Sequence, residues 1–216
     1  MDKMIVYEDN VLLVVHKPVG IATETARVGQ ADLVSELKNY RKRKGEDTYI
    51  GVVHRLDQPV EGLLVFAKDG KTAKKLSDEL SEGLLNKKYA ALVAGVPQTT
   101  EGELTDYLWK DGRTNLSRVV PRETKGAKKA SLRWRMLQHS DAVSLLEIEL
   151  YTGRHHQIRV QMAHAGFPLL GDFKYGSEPS KELSNRFAVN RSALLAYNIR
   201  LTHPSTGKEM NFSLNY

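Results

Sequence analysis

Residues 54–65 read HRLDQPVEGLLV, a charged loop that leads directly into an apolar segment. Pro59 stiffens the loop, and Gly62 lets the chain change direction because it has no Cβ atom. Leu63 opens a short apolar run that is typical of a buried β-strand. Loops held by a rigid strand often carry the reactive groups of a protein. This junction therefore predicts a core strand and, just before it, a candidate reactive loop.

Asp57 is the candidate reactive residue of this loop. A carboxylate at this position has three alternative roles, as a nucleophile, as a general base or as the cap of a turn. The four residues 54–57 alone do not choose between them.

The chain before the loop predicts a β-hairpin followed by a short helix. Residues 5–7 and 11–15 are strand-like and flank the turn-rich spacer 8–10. The second strand is expected to stop near Pro18, which has no amide proton to donate. Residues 32–40 are expected to form the helix.

The chain after the loop alternates helices and strands. Asp69 is a candidate helix cap, and an apolar stripe at helical spacing follows it. The stripe consists of Ala73, Leu76, Leu80 and Leu84. A second helix is expected around Ile158 and Met162, ending at Gly166.

Strands are expected at residues 63–67, 89–94, 196–201 and 210–214, and around Ile148. Near Ile148, apolar residues alternate with glutamates, which is typical of a half-buried strand. This order of elements indicates an α+β fold rather than a regular β-α-β winding.

The composition is that of a folded, basic domain. The chain has 216 residues, with 32 Lys and Arg against 26 Asp and Glu, a formal net charge of +6. It has no cysteine, which excludes disulfides, Cys-ligated zinc, iron–sulfur clusters and thiol nucleophiles. No apolar stretch approaches the ~20 residues of a membrane span, and no export signal is evident. We therefore expect a cytoplasmic protein with no membrane association.

The positive charge concentrates in two windows. Residues 110–135 contain nine basic and two acidic residues, and residues 41–44 are all basic. Tyr107, Trp109 and Trp134 lie in or beside the first window. Basic patches with flat rings suit a nucleic acid, because phosphates release counterions on binding and rings stack on bases. A solvated lysine-rich surface explains the charge equally well.

Residues 152–160, TGRHHQIRV, open the helix that follows the alternating strand. Arg159 is expected at the edge of the buried face together with His155. A guanidinium there is a candidate partner for a loop carboxylate, because its planar fork makes two-point contacts and its charge favours an ionised acid. His155 and His156 are adjacent and have no further ligand at suitable spacing, so no metal site is predicted.

Tyr89 begins the strand at 89–94, directly after a polar corner. A tyrosine in this position either packs into the core or offers its ring to a base, and both alternatives stay open.

Together these stretches resemble the RluA-type pseudouridine synthases, which convert uridine in structured RNA to its carbon-linked isomer. The resemblance spans nearly the whole chain. Further supporting motifs are VVHKPVG at 14–20, HAGFPLLGD at 164–172 and LTHP at 201–204. It implies a mixed, mainly antiparallel central sheet with flanking helices. Some members of that family carry an additional small RNA-binding module before the catalytic domain. Because the hairpin is expected to begin near residue 5, we expect one catalytic domain over residues 1–216, with no separate N-terminal RNA-binding module.

The resemblance implies roles for individual residues. Asp57 corresponds to the catalytic aspartate, Arg159 to its partner and Tyr89 to the ring against the target uracil. Arg55 corresponds to the residue that takes the place of the extruded base. The other expected substrate contacts are His54, Lys128, Lys129, Arg154, Gln157 and Ile158.

Two positions depart from the pattern of the family. Val60 and Glu61 stand where Thr or Ser usually directly precedes Gly62. His155 occupies a position where a smaller residue is common.

The reaction implied by the resemblance needs no redox cofactor, nucleotide or metal, and we expect none. Three routes stay open for Asp57: attack on the anomeric carbon, attack on the uracil ring, or removal of a sugar proton. Reaching a stacked base requires flipping it out of the helix, at a cost of a few kcal/mol. The expected partner is structured ribosomal or transfer RNA, and a monomer is the default.

Two other functions explain part of the pattern. A non-catalytic basic RNA-binding domain accounts for the charge and the rings, but it does not require an aspartate, a tyrosine and an arginine in one pocket. A metal-dependent nuclease is a weaker alternative.

Overall fold

A computed structural model describes residues 1–25 and 29–215, except for the side chain of Asp2. The chain divides into two compact units. Unit 1 comprises Met1–Lys87 and Ala196–Tyr216, and unit 2 comprises Lys88–Leu195.

Unit 1 combines strands from both ends of the chain with two helices. Its elements are a single 3₁₀ turn at Asp2–Met4, β1 Ile5–Glu8, β2 Leu12–Lys17, α1 Leu33–Arg43, β3 Gly51–Val52, β4 Glu61–Ala67 and α2 Gly70–Glu82. The second end of the chain adds β10 Leu194–Thr202 and β11 Glu209–Ser213. The pairs β1–β2, β2–β4, β3–β4 and β10–β11 are antiparallel. The predicted hairpin at the start of the chain is therefore confirmed.

Helix α2 begins and ends as capping rules require. The Asp69 side chain accepts the amide proton of Thr72 at 2.8 Å, which confirms the predicted cap. Gly83 ends the helix in the left-handed conformation, at φ 76°. Leu76 is fully buried in the core of unit 1. Leu84, however, lies beyond this stop and is 59% exposed, so its predicted place on the apolar stripe is wrong.

Gly62 is required by the close approach of β10 to β4. Its φ is 140°, and a Cβ atom there would lie 2.4 Å from the carbonyl oxygen of Ala196 and 2.6 Å from its Cβ. Only glycine fits this point, which lies at the start of the strand that follows the candidate loop.

Unit 2 contains the whole of the first basic window, residues 110–135. Its elements are β5 Asn86–Ala94, β6 Glu101–Asp111, β7 Leu116–Val119, β8 Lys128–His139, β9 Val143–Leu150, α3 Gln157–His164 and α4 Glu178–Arg186. The strand order is β5-β9-β8-β6-β7, and each of the pairs β5–β9, β9–β8, β8–β6 and β6–β7 is antiparallel. Strands β6, β7 and β8 were not predicted, because their charged and aromatic residues obscure the alternation of apolar and polar residues that marks a strand.

Helix α3 packs on one face of the sheet of unit 2. Val160 of α3 contacts Leu108 of β6 and Ala130 of β8 in a buried cluster. Trp134 points to the buried side and is only 7% exposed. Its proposed availability to a polyanion is therefore wrong, because period-two alternation on β8 directs it inward.

Both units join antiparallel strands to helices, and the predicted α+β class is confirmed. Among the helices of the described residues, none is long and apolar enough to cross a membrane.

Candidate active site

In unit 1, Lys17 holds the loop that carries Asp57 in place by hydrogen bonds. The Lys17 side chain is completely buried, and its ammonium donates to the carbonyl oxygens of Pro18, Ile21 and Gln58 at 3.0, 2.9 and 3.3 Å. One lysine therefore holds the turn after β2 and the residue that follows Asp57 in the same place.

Two further pairs of hydrogen bonds fix both neighbours of Asp57. The Thr23 hydroxyl donates to the carbonyl oxygen of Leu56 at 2.9 Å and accepts the amide proton of Leu56 at 3.2 Å. The amide of Gly20 donates to the carbonyl oxygen of Gln58 at 2.9 Å, and the Gln58 side chain donates to that of Gly20 at 2.8 Å. Asp57 itself is half-buried. Its backbone is thus held on both sides, which limits where the carboxylate can move.

Electrostatic attraction links Lys17 to this carboxylate. Burial lowers the pKa of Lys17 to about 8, while the negative charges of Asp57 and Glu61 favour its ammonium form. Because the attraction is mutual, the buried cation stabilises negative charge on the candidate catalytic loop.

His54 is a structural anchor at the start of the loop. Its Nε2 accepts the amide proton of Val65 of β4 at 3.3 Å, and its Nδ1 has no hydrogen-bond partner within residues 1–25 and 29–215. Burial, together with the charge of Lys87, holds the pKa of His54 well below its usual range. The ring is therefore neutral, and because Nε2 accepts, its proton is on Nδ1.

Arg55 points outward, in contrast to its neighbours. Its side chain is 63% exposed and pairs with Glu24, with an Nη2 to Oε2 distance of 2.6 Å. Exposed ion pairs of this kind contribute only about 0–1 kcal/mol to the stability of the folded state. Arg55 can therefore leave Glu24 at low cost.

In unit 2, Arg159 is buried and held by Asp172. The Arg159 Nε and Nη2 atoms donate to the two carboxylate oxygens of Asp172 at 2.7 and 2.8 Å. The Asp172 side chain is fully buried, and Arg159 is only 4% exposed. The prediction that Arg159 lies at the edge of the buried face is therefore wrong. The pairing of Arg159 with Asp57 stays a prediction.

A polar chain continues from Arg159 to the edge strand β7. The Arg159 guanidinium lies 5.1 Å from the ring centroid of Tyr175, and the Tyr175 hydroxyl hydrogen-bonds to Nδ1 of His156 at 2.6 Å. The same hydroxyl accepts the amide proton of Ser117 at 2.9 Å. The Ser117 hydroxyl contacts Nδ1 of His155 at 2.8 Å. The helix that carries Arg159 is thus tied to the basic hairpin β6–β7.

The two histidines at the start of α3 are stacked, with ring centroids 3.7 Å apart. His156 has a positive φ of 55°, which is uncommon for a residue other than glycine. Among residues 1–25 and 29–215, no group of three or more His, Asp or Glu side chains is arranged to hold a metal ion.

The other expected site residues occupy different environments in unit 2. Tyr89 is 5% exposed on β5, opposite Ile148 of β9. The Gln157 Oε1 accepts from the Thr152 hydroxyl at 2.8 Å and from the Arg154 amide at 2.9 Å. These contacts shape the turn before α3. The roles of Tyr89, Arg154 and Gln157 in substrate binding stay predictions.

Ile158, Lys128 and Lys129 were also expected to contact substrate. Ile158 is 4% exposed. Lys128 and Lys129 are both exposed, and as neighbours on β8 they point to opposite faces of the sheet. Their roles in substrate binding stay predictions.

Sequence reasoning missed Lys17, Thr23, Asp172 and Tyr175. Lys17 and Asp172 stand inside motifs that carry the family resemblance, which was the available signal for both. Lys17 also contacts Gln58, which lies 41 residues further along the chain, and Asp172 contacts Arg159, which lies 13 residues before it. No local pattern predicts contacts over such distances.

Comparison with known proteins agrees with the resemblance seen in the sequence. A family model described as RNA pseudouridylate synthase matches residues 11–164. The ribosomal large subunit pseudouridine synthase C of Buchnera aphidicola (subsp. Schizaphis graminum) is 33% identical over 208 residues, covering 96% of this chain and 65% of that protein. The uncharacterized RNA pseudouridine synthase YhcT of Bacillus subtilis is 36% identical over 206 residues, covering 94% of this chain and 65% of that protein. This chain therefore spans slightly less than two thirds of those two relatives.

A third relative and a solved structure agree with these two. The ribosomal large subunit pseudouridine synthase D of Zymomonas mobilis is 34% identical over 216 residues, covering 96% of this chain and 67% of that protein. The structure of human RNA pseudouridylate synthase domain containing 4 has a TM-score of 0.79 at 23% identity, covering 99% of this chain and 88% of that one. At 23% identity, this structural similarity establishes that the two proteins share a fold.

Proposed function

This chain belongs to the RluA-type RNA pseudouridylate synthase family, and from that premise we propose that it isomerises uridine to pseudouridine in structured RNA. Family membership supports an enzyme rather than the non-catalytic RNA-binding alternative.

The proposed reaction is balanced without a co-reactant. The bond between the anomeric carbon of the ribose and N1 of uracil breaks, and the base turns. A bond forms between the same carbon and C5, and the proton of C5 is replaced by one on N1. The protein must supply a carboxylate, hold the detached fragment and exclude water.

Asp57 is the proposed source of that carboxylate. The observation that carries this assignment is the fastening of its loop, in which Lys17 and Thr23 hold the backbone on either side. The buried Lys17 ammonium and the Asp57 carboxylate also attract each other electrostatically, which further favours a fixed position for the carboxylate.

The other proposed roles follow the family motifs. Arg159 pairs with Asp57, and Tyr89 lies against the target uracil. Arg55 fills the gap left by the extruded base, and its exposure and weak pairing with Glu24 support this role.

The proposed substrate is ribosomal or transfer RNA, bound without a small-molecule cofactor. Two relatives are named for the large ribosomal subunit, which favours ribosomal RNA. We further propose that residues 1–216 act as one catalytic domain, as a monomer and in the cytoplasm.

The deciding experiment compares the wild type with Asp57→Asn on total cellular RNA, scoring pseudouridine by a chemistry that marks it. We expect product from the wild type and none above background from the variant. Equal product from both proteins would show that Asp57 is not the catalytic carboxylate.

Arg159→Lys serves as the second variant. It retains the positive charge but loses the planar two-point fork, so we expect greatly reduced turnover with little change in RNA affinity. A large loss of affinity with normal turnover would contradict the proposed pairing. Cleaved rather than isomerised RNA would indicate a nuclease.

A further inference from the structure

The solvent face of the sheet in unit 2 divides into two electrically different regions. One region is an ion-paired lattice in which Arg133 pairs with Glu101 at 2.7 Å and Arg135 pairs with Glu147 at 3.2 Å. Lys88 also contacts Glu147, at 3.2 Å. Each of these three cations therefore contacts a carboxylate.

The other region, which we call the arginine clamp, consists of Tyr107, Trp109, Arg118, Arg122 and Lys129. The Arg118 guanidinium lies 4.8 Å from the ring centroid of Trp109, and that of Arg122 lies 5.8 Å from the ring centroid of Tyr107. Trp109 is paired with Arg118 across β6 and β7, and Tyr107 is paired with Lys129 across β6 and β8. All five residues therefore belong to one surface.

Among the described residues, the cations of the clamp lack the salt bridges of the lattice, although the charge of Asp111 interacts with that of Arg118. Within residues 1–25 and 29–215, neither Arg118 nor Arg122 nor Lys129 forms a salt bridge. Arg118, Arg122 and Lys129 are all exposed. Cations that form no salt bridge keep hydrogen-bond donors available to an external anion, and two of these three also contact a ring.

The clamp lies on the face of the sheet opposite α3. The inward neighbours of its residues, Leu108 and Ala130, contact Val160 of that helix. Strand β7, which carries Arg118, is the edge strand of the sheet of unit 2. A ligand on the clamp is therefore separated by the thickness of the sheet from the helix that carries Arg159.

We propose that the arginine clamp binds the phosphate backbone of an RNA strand, as a contact separate from the residues that receive the target uridine. Contact with a ring restrains each guanidinium group, so less conformational freedom is lost when it meets a phosphate. Tyr107 and Trp109 are two residues apart on β6, which spaces them by about 6.7 Å along the strand. The two guanidinium groups that contact these rings are therefore neighbours on one surface, where a single RNA strand can meet both.

The occupant is RNA rather than an acidic protein segment. This choice rests on the proposed function, which supplies the RNA, and on the rings, which offer flat surfaces to unpaired bases beside the bound backbone. A contact on this side of the sheet would let the protein read RNA flanking the modified nucleotide.

The test uses the full chain and fluorescein-labelled oligouridine, with affinity measured over a series of KCl concentrations. The double variant Arg118→Gln/Arg122→Gln is compared with Arg133→Gln/Arg135→Gln, which removes the same charge from the ion-paired lattice. We expect the clamp variant to lose affinity about tenfold or more. Its salt slope should fall by about 0.7 for each phosphate that the protein no longer neutralises. The matched control should lose much less on both measures.

Equal losses in the two variants would overturn the proposal, because they would show a general dependence on charge. Unchanged affinity in the clamp variant would overturn it as well. Displacement of the RNA by polyglutamate at the same charge concentration would reassign the surface to acidic polypeptides.

A further variant, Trp109→Leu, tests the contribution of the ring at constant charge. Loss of affinity without a change in net charge is expected, because Arg118 loses the surface that holds it. Unchanged affinity would show that the ring does not support the clamp.

Failure of the clamp and failure of the proposed function are distinguishable. The Asp57→Asn variant is expected to bind oligouridine with wild-type affinity while producing no pseudouridine. The clamp variant should retain turnover when RNA is saturating. If Asp57→Asn remains active while the clamp variant binds weakly, the clamp stands and the catalytic assignment fails.

Discussion

Asp172 holds Arg159 by two parallel hydrogen bonds inside the buried part of unit 2, at 2.7 and 2.8 Å. The same carboxylate accepts the backbone amides of Lys174 and Tyr175 at 3.1 and 3.3 Å. Because Asp172 organises its own turn and the guanidinium together, it sets the orientation of the candidate catalytic arginine.

Asp172→Asn should therefore destabilise the protein by about 3–5 kcal/mol, because it leaves the Arg159 charge buried beside a neutral amide. Denaturant unfolding at neutral pH measures this loss. In the fraction that remains folded, we expect kcat to fall more than KM changes, because the arginine is no longer fixed.

A double-mutant cycle separates pairing from packing. The combination Asp172→Leu with Arg159→Met removes both charges and should cost less than the sum of the single changes. Additive losses would show that the two side chains do not depend on each other.

The pair of Arg55 and Glu24 is expected to be a surface contact that breaks easily. Glu24→Gln should change the free energy of unfolding by less than about 1 kcal/mol and should not lower turnover. Arg55→Ala, in contrast, should reduce turnover, because nothing then replaces the extruded base. A large loss of stability in Glu24→Gln would mean that the pair is structural and that Arg55 does not leave it.

Lys87 is a buried cation of unit 1. It is 7% exposed, and its side chain has no hydrogen bond or salt bridge to any part of the chain that the structure describes. Burial lowers the pKa of Lys87 to about 8 from 10.5. The folded state therefore bears the cost of a buried charge wherever this lysine is protonated.

The sign of the pH effect follows from this shift. Between pH about 8 and about 10.5 the unfolded chain binds more protons at Lys87 than the folded chain does, so stability rises with pH in that window. Lys87→Met should stabilise the protein at neutral pH by about 3 kcal/mol, and the gain should vanish above the window. Because the pKa of Lys17 is also lowered, to about 8, the quantity to measure is the difference between wild type and variant. A difference that stays constant with pH would contradict the assignment to Lys87.

Gly62→Ala tests the close approach of β10 to β4. The positive φ and the 2.4 Å distance from the new Cβ to the Ala196 carbonyl oxygen should destabilise unit 1 by about 3 kcal/mol or more. Gly112→Ala is the matched control, since no atom of the described residues beyond its own chain neighbours lies within 4 Å of its Cβ position, and it should stay within about 0.5 kcal/mol of the wild type. Similar thermal unfolding of the two variants would show that β10 adjusts to the extra carbon.

Local signals in the sequence were reliable where the structure depends on neighbouring residues. The Asp69 cap, the hairpin at the start of the chain and the half-buried strand around Ile148 all follow from chemistry within a few residues. The end of α2 was placed too late because the apolar stripe at Leu84 outweighed the glycine directly before it.

Strands β6, β7 and β8 show the opposite case. Their residues are charged or aromatic on one face and include Trp134 on the other, so the window appeared as an RNA-binding insertion rather than as a sheet. Only pairing between strands that are distant in sequence decides which side of each residue is buried.

The sequence by itself determined the family, the class of fold and the loop on which the candidate carboxylate lies, because motifs and periodicity are written in short, contiguous segments. The tertiary structure decided which side chains support that loop, which acid holds Arg159 and which exposed arginines contact aromatic rings. Those contacts join residues that are distant in the chain. Their geometry depends on how strands and helices pack, and packing is a property of the folded chain rather than of any one segment.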